Sequence, residues 1–87
     1  MLRRKFITLS RAETGQPLRI EAIHGGQAFI SRITGMGFLP GTSLVVLQNF
    51  NFGPIIVHLR DTQVAIGRKE AKKIEVHPTK AEEISHA

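Results

Sequence analysis

Four histidines, seven carboxylates and no cysteine are the side chains on which catalysis or metal binding in this sequence would have to rest. The carboxylates are Glu13, Glu21, Asp61, Glu70, Glu75, Glu82 and Glu83. A general acid needs a carboxyl in an apolar setting, where desolvation raises its pKa towards neutrality. All seven have polar or charged neighbours along the chain, so none is placed for that work. His24, His58, His77 and His86 form no His-x3-His pair. Tetrahedral zinc needs three or four convergent ligands, and ferrous iron favours histidine with carboxylate. His77 and His86 suit adventitious chelation at most, and no functional metal site is expected. The absence of cysteine removes thiolate nucleophiles, thiolate metal sites and disulfides. No serine stands in a G-x-S-x-G elbow. Gly25-Gly26 precedes an expected helix, whose N–H groups can face a phosphate. The G-x-x-x-x-G-K-[ST] pattern is missing, however, so the pair reads as a tight turn. The chain is expected to be neither an enzyme nor a holder of a cofactor.

The remaining chemistry is recognition. Phe50 and Phe52 flank Asn51 in a loop that ends at Gly53-Pro54. Two aromatics two residues apart on an extended segment face the same way. Exposed, they would be anchors of the kind that dominate interface energies; folded back, they would cap the core. Arg68, Lys69, Lys72 and Lys73 form a basic cluster around Glu70, able to steer the protein towards an acidic surface with a salt-dependent effect. Arg32 points away from the apolar stripe of the expected helix, on an outer face shared with Gln27, Ser31 and Thr34. Phe50, Phe52, Arg32, Arg68, Lys69, Lys72 and Lys73 are thus the candidate partner-binding residues. The net charge of +5 favours an anionic partner, whether nucleic acid, an acidic protein face or an inner leaflet. The aromatics are all phenylalanine and the basic residues fall mostly outside the expected strands, which places nucleic-acid binding second.

The elements that must position these residues are short. An 87-residue chain makes one domain with a small core, burying about 60–65% of its unfolded surface. Residues 9–13 read as one helical turn, with Ser10 and Glu13 at capping-box spacing. Residues 18–23 alternate as a half-buried strand. Phe29, Ile30, Ile33 and Met36 fall at helical spacing over residues 27–36, and Gly37 suits the left-handed closing position. Leu39-Pro40-Gly41 carries the residues of a type II turn. Residues 42–48 are rich in β-branched side chains and read as a central strand. Residues 55–59 and 62–66 read as a hairpin turning at Arg60-Asp61. Residues 67–73 form a short turn with helical leanings, and residues 74–76 a last strand. About five strands and one helix fit a mainly β architecture: a small barrel whose mouth is plugged by Phe29, Ile33 and Met36.

The order of these elements resembles the FeoA family. The features that carry the likeness are Leu9-Ser10 and Gly15 before the first strand, Gly25-Gly26 before the helix and Arg32 within it. Met36-Gly37-Phe38-Leu39-Pro40-Gly41 follows, then Gly53-Pro54-Ile55, then Ala65-Ile66-Gly67-Arg68 with Ala71 and Ile74-Glu75-Val76. The likeness spans residues 9–76, leaving a basic arm at 1–8 and a polar tail at 77–87. It is similar as well to the SH3-like C-terminal domain of iron-dependent repressors. The resemblance implies an SH3-like barrel acting as an accessory protein of bacterial ferrous-iron uptake. Its implied partner is FeoB, a membrane transporter with a cytoplasmic GTP-binding domain. The sequence departs from the family pattern in keeping a single arginine in the helix and in having Arg60-Asp61 where Arg-Gly is common.

No run approaches the ~18 apolar residues of a membrane span. The basic start, Arg3-Arg4-Lys5, looks like the opening of a secretory signal, but residues 6–11 are too short and too polar for its apolar part. A cytoplasmic protein is expected. Short edge strands of the kind a small barrel carries favour pairing between copies, so a homo-oligomer is a further expectation.

Overall fold

The computed structural model describes residues 6–50 and 52–80; the arm through Lys5, Asn51 and the tail from Ala81, with His86, lie outside them. The chain runs β1 (Ile7–Thr8), a 3-10 turn (Leu9–Arg11), β2 (Pro17–Ile23), α1 (Gln27–Gly35), β3 (Ser43–Gln48), β4 (Ile55–Leu59), β5 (Thr62–Ile66), α2 (Arg68–Ala71) and β6 (Ile74–Pro78). The strands form one sheet in the order β1-β6-β2-β3-β4-β5. Every ladder in it is antiparallel.

Alternation in the sequence becomes alternation in burial. Leu18 and Ile20 on β2, Leu44 and Val46 on β3, and Ile55, Val57 and Leu59 on β4 all point inward. The register slips between Ile20 and Ala22 on β2 and between Val46 and Gln48 on β3. Such bulges bend a strand and increase its twist, which curls the sheet around this core. The β4–β5 hairpin pairs Leu59 with Thr62. Its two turn residues, Arg60 and Asp61, both lie in the left-handed region, with φ of 52° and 65°. That is the I′ geometry matching strand twist in a two-residue hairpin.

Helix α1 packs against the core through its apolar stripe. Ile33 is fully enclosed, whereas Phe29 and Met36 are only partly buried against the core. The plug is therefore centred on one residue, with the other two at its rim. Gly37, at φ 105°, closes the helix: its N–H donates to Thr34 O at 3.0 Å and that of Phe38 to Ile33 O at 3.2 Å. Phe38 then enters the core with no exposed surface. The following turn places Pro40 and Gly41 centrally, with Thr42 N–H donating to Leu39 O at 3.0 Å and Gly41 at φ 90°.

Two local expectations change. The capping box does not form. The N-cap of the 3-10 turn is Thr8, without a side-chain cap, and Ser10 Oγ meets Thr8 Oγ1 at 2.8 Å instead. Glu13 N–H donates to Gln16 Oε1 at 3.0 Å. The turn begins at Leu9, two residues earlier than the spacing implied, so Ser10 lies inside it and cannot cap the free N–H groups at its start. Ile7 and Thr8, read as the end of the arm, pair with Val76 and Glu75 as a sixth strand, and β6 runs on through His77 to Pro78.

The sheet ends at β1 and β5, each with a single ladder partner among the described residues. The gap is bridged by helical pieces. The 3-10 turn follows β1 directly, α2 follows β5 after Gly67, and the two pack together. No helix among the described residues is long and apolar enough to cross a membrane.

Candidate functional site

The β3–β4 connection carries the most exposed large apolar side chains of the described residues. Phe50 is 57% and Phe52 78% exposed, against 0% for Phe38. Neither ring is folded back into the core. The local reason is the chain's punctuation: β3 ends at Gln48, Gly53 takes φ 82°, and Pro54 leads into β4 without an N–H to pair.

The root of this loop is tied down by side chains. Asn49 N–H donates to Thr14 Oγ1 at 3.0 Å. Its Nδ2 donates to Ser10 O at 3.2 Å and to Ala12 O at 2.6 Å. Its Oδ1 accepts from Arg68 Nη2 at 2.7 Å, and the same Nη2 donates to Phe50 O. Arg68 Nη1 donates to Ser10 O at 3.3 Å, and Arg68 Nε is buried without a hydrogen-bond partner among the described residues. Arg68, read from the sequence as part of a surface cluster, is thus engaged inside the chain. A shallow cleft of about 430 Å³ beside this knot is lined by Arg11, Glu13 and Thr14 among others.

The other basic candidates gather around Phe29. Lys73 Nζ stands 4.7 Å and Arg32 5.6 Å from the centre of its ring, both within cation–π range. Arg32 Nη2 also pairs with Glu70 Oε2 at 3.2 Å, bridging α1 to α2. Lys69 and Lys72 are exposed, and neither is paired with another described residue. The structure therefore brings Arg32 and Lys73 together, places Arg68 at the loop root, and leaves Lys69 and Lys72 in solvent.

The ionisable groups on β6 and on or just beyond β2 pair off rather than converge. His24 Nε2 lies 3.4 Å from Glu75 Oε1. His77 Nδ1 lies at the same distance from Glu21 Oε1 without a hydrogen bond, and its ring packs edge-on against Phe6. No group of three or more His, Asp or Glu able to hold a metal occurs among the described residues. A groove of about 650 Å³ beside β1 is lined by Phe6, Ile7, Thr8, Gln16 and Pro78, with Arg11 and Glu13 its ionisable members.

Asn49 was not singled out from the sequence. A lone amide at the end of a strand has no spacing signal, and its partners at residues 10, 12 and 14 lie 39, 37 and 35 positions away.

A curled six-stranded antiparallel sheet, plugged by one short helix and presenting an aromatic loop, defines a small SH3-like barrel. The FeoA domain model matches residues 7–78. The chain belongs to the FeoA family, whose members are accessory proteins of ferrous-iron transport. It is 35% identical over 68 residues, 78% of this chain and 82% of the relative, to a protein of Methanocaldococcus jannaschii named Fe(2+) transport protein A. The crystal structure of an iron uptake regulatory protein, FeoA, superposes with a TM-score of 0.82 at 28% identity, covering 86% of this chain and all of the other. Zinc-complexed FeoA of Stenotrophomonas maltophilia, described as a prokaryotic SH3 domain protein, shares the fold at 24% identity and a TM-score of 0.70, covering 80% and 88%. The fold also recurs in part of a manganese-dependent transcriptional repressor, with a TM-score of 0.81 at 20% identity over 90% of this chain and 44% of that one.

Proposed function

We propose that this chain is a non-enzymatic, cytoplasmic regulator of ferrous-iron uptake that docks on the cytoplasmic part of the FeoB transporter through its β3–β4 loop. The observation that carries the reading is the exposure of Phe50 and Phe52. Holding two phenyl rings in water is unfavourable at about 25 cal/mol per Å² of apolar area. A partner that covers them recovers that energy, which makes them the anchors of the interface. Lys69 and Lys72, with Arg32 and Lys73 around Phe29, would add a salt-sensitive attraction to an acidic face of the partner. Family membership and the relatives' names support the transport context.

Titration of the purified cytoplasmic region of the transporter, with and without guanine nucleotide, tests this directly. Saturable binding by the wild-type chain, lost in Phe50→Ala/Phe52→Ala while the fold persists, is the expected result. Binding that survives the double substitution, or no binding by the wild type, contradicts it. Saturable binding to single-stranded oligonucleotides in its place would favour the nucleic-acid reading.

A further inference from the structure

We propose that Arg68 and Asn49 are positioning residues: together they latch the two ends of the open sheet to each other and hold the root of the aromatic loop, at Phe50, ordered in advance of docking. The proposal rests on the docking reading above and adds how the site is kept in shape.

The latch spans three parts of the chain that no strand ladder joins. Arg68 opens α2 just after edge strand β5, and Ser10 lies in the 3-10 turn just after edge strand β1. Arg68 Nη1 bonds to Ser10 O, while its Nη2 bonds to Asn49 Oδ1 and to Phe50 O at the root of the aromatic loop. A planar guanidinium directs several fixed N–H groups at once, which one ammonium cannot reproduce. Asn49 completes the knot from the loop side. Its amide donates to Ser10 O and Ala12 O while accepting from the guanidinium. That pattern requires a donor and an acceptor on one side chain, which a carboxylate lacks. The backbone around Phe50 is thereby fixed at its carbonyl by Arg68 and one residue earlier by Thr14.

The functional consequence follows from the cost of ordering. Aromatic anchors on a free loop must be immobilised on binding, and that lost entropy subtracts from affinity; anchors already held in place avoid it. Arg68 therefore serves the interface without touching the partner.

The test uses the full chain labelled with 4-fluorophenylalanine at its five phenylalanines and observed by fluorine NMR. Phe38, fully buried, reports on the core, and Phe50 and Phe52 report on the loop. Arg68→Lys keeps the charge and removes the fork. The expected result is an unchanged Phe38 resonance, a Phe50 resonance shifted and narrowed towards that of a freely moving ring, and an affinity for the transporter's cytoplasmic region lowered about tenfold. A Phe50 resonance and an affinity equal to wild type overturn the proposal. Should Arg68→Lys lose the Phe38 resonance through unfolding, Asn49→Ala is held to the same two readouts. If Phe50→Ala/Phe52→Ala leaves binding intact, the docking reading falls on its own; the fluorine spectrum of the unbound Arg68→Lys or Asn49→Ala protein still decides whether the latch exists.

Discussion

Gly37 lies against Leu59: a β-carbon on Gly37 would stand 3.0 Å from Leu59 Cδ2. Leu59 is 2% exposed at the end of β4, in a packed core with little room to yield. Gly37 also holds φ at 105°, and left-handed backbone costs an ordinary side chain roughly 1–2 kcal/mol. Gly37→Ala should therefore lower stability by about 2–3 kcal/mol, strain and overlap combined. Urea unfolding reads this as a lower midpoint at unchanged slope. A shift within error would mean that the junction between α1 and the sheet is looser than described.

The β4–β5 turn should respond in the opposite direction. Arg60 and Asp61 both sit at positive φ, where a hairpin of this type favours glycine in the second place. Asp61→Gly should raise stability by about 0.5–1 kcal/mol, relief of strain outweighing the greater freedom of the unfolded chain. Thermal melting at fixed pH measures it. A destabilised variant would show that Asp61 makes up for its backbone by other contacts.

These two turns show how far the sequence could be read. The hairpin was legible to the residue, at 55–59 and 62–66, because period-two alternation and a two-residue connection are local properties. Gly37 and Pro40-Gly41 were legible for the same reason. β1 was not: two residues carry no period, and Ile7–Thr8 is a strand only because β6 lies beside it. Ser10 and Glu13 had capping-box spacing, yet the turn begins two residues too early for it. Phe50 and Phe52 could be picked out as candidates, but whether they faced water depended on the finished fold. Arg68 looked like one more surface cation in a basic run. Its bonds to residues 58 and 19 positions away leave no trace in local spacing.

Helix α1 should depend on one residue. Ile33 is fully enclosed, while Met36 is only partly covered. Ile33→Ala should cost about 2–4 kcal/mol, and Met36→Ala less than half as much. Equal losses in chemical denaturation would mean that the plug is shared along the stripe.

The exposed lysines should act on the rate of encounter. Lys69 and Lys72 are unpaired among the described residues, so their field reaches solvent. Lys69→Gln/Lys72→Gln should slow association with the transporter's cytoplasmic region a few-fold at low salt, leaving dissociation little changed. The difference should fade as added salt shortens the screening length to about 3 Å near 1 M. Stopped-flow association across a salt series checks it. A change confined to dissociation would place the two lysines in the bound contact itself.

The proposed docking runs through the loop bearing Phe50 and Phe52. Cross-saturation NMR from the unlabelled cytoplasmic region of the transporter to the labelled chain tests it most directly. The expected result is the strongest signal loss at residues 49–54, with weaker loss around Lys69 and Lys72. Loss centred instead on the Phe6–Pro78 groove or on the β5 edge, with the aromatic loop unaffected, would contradict it.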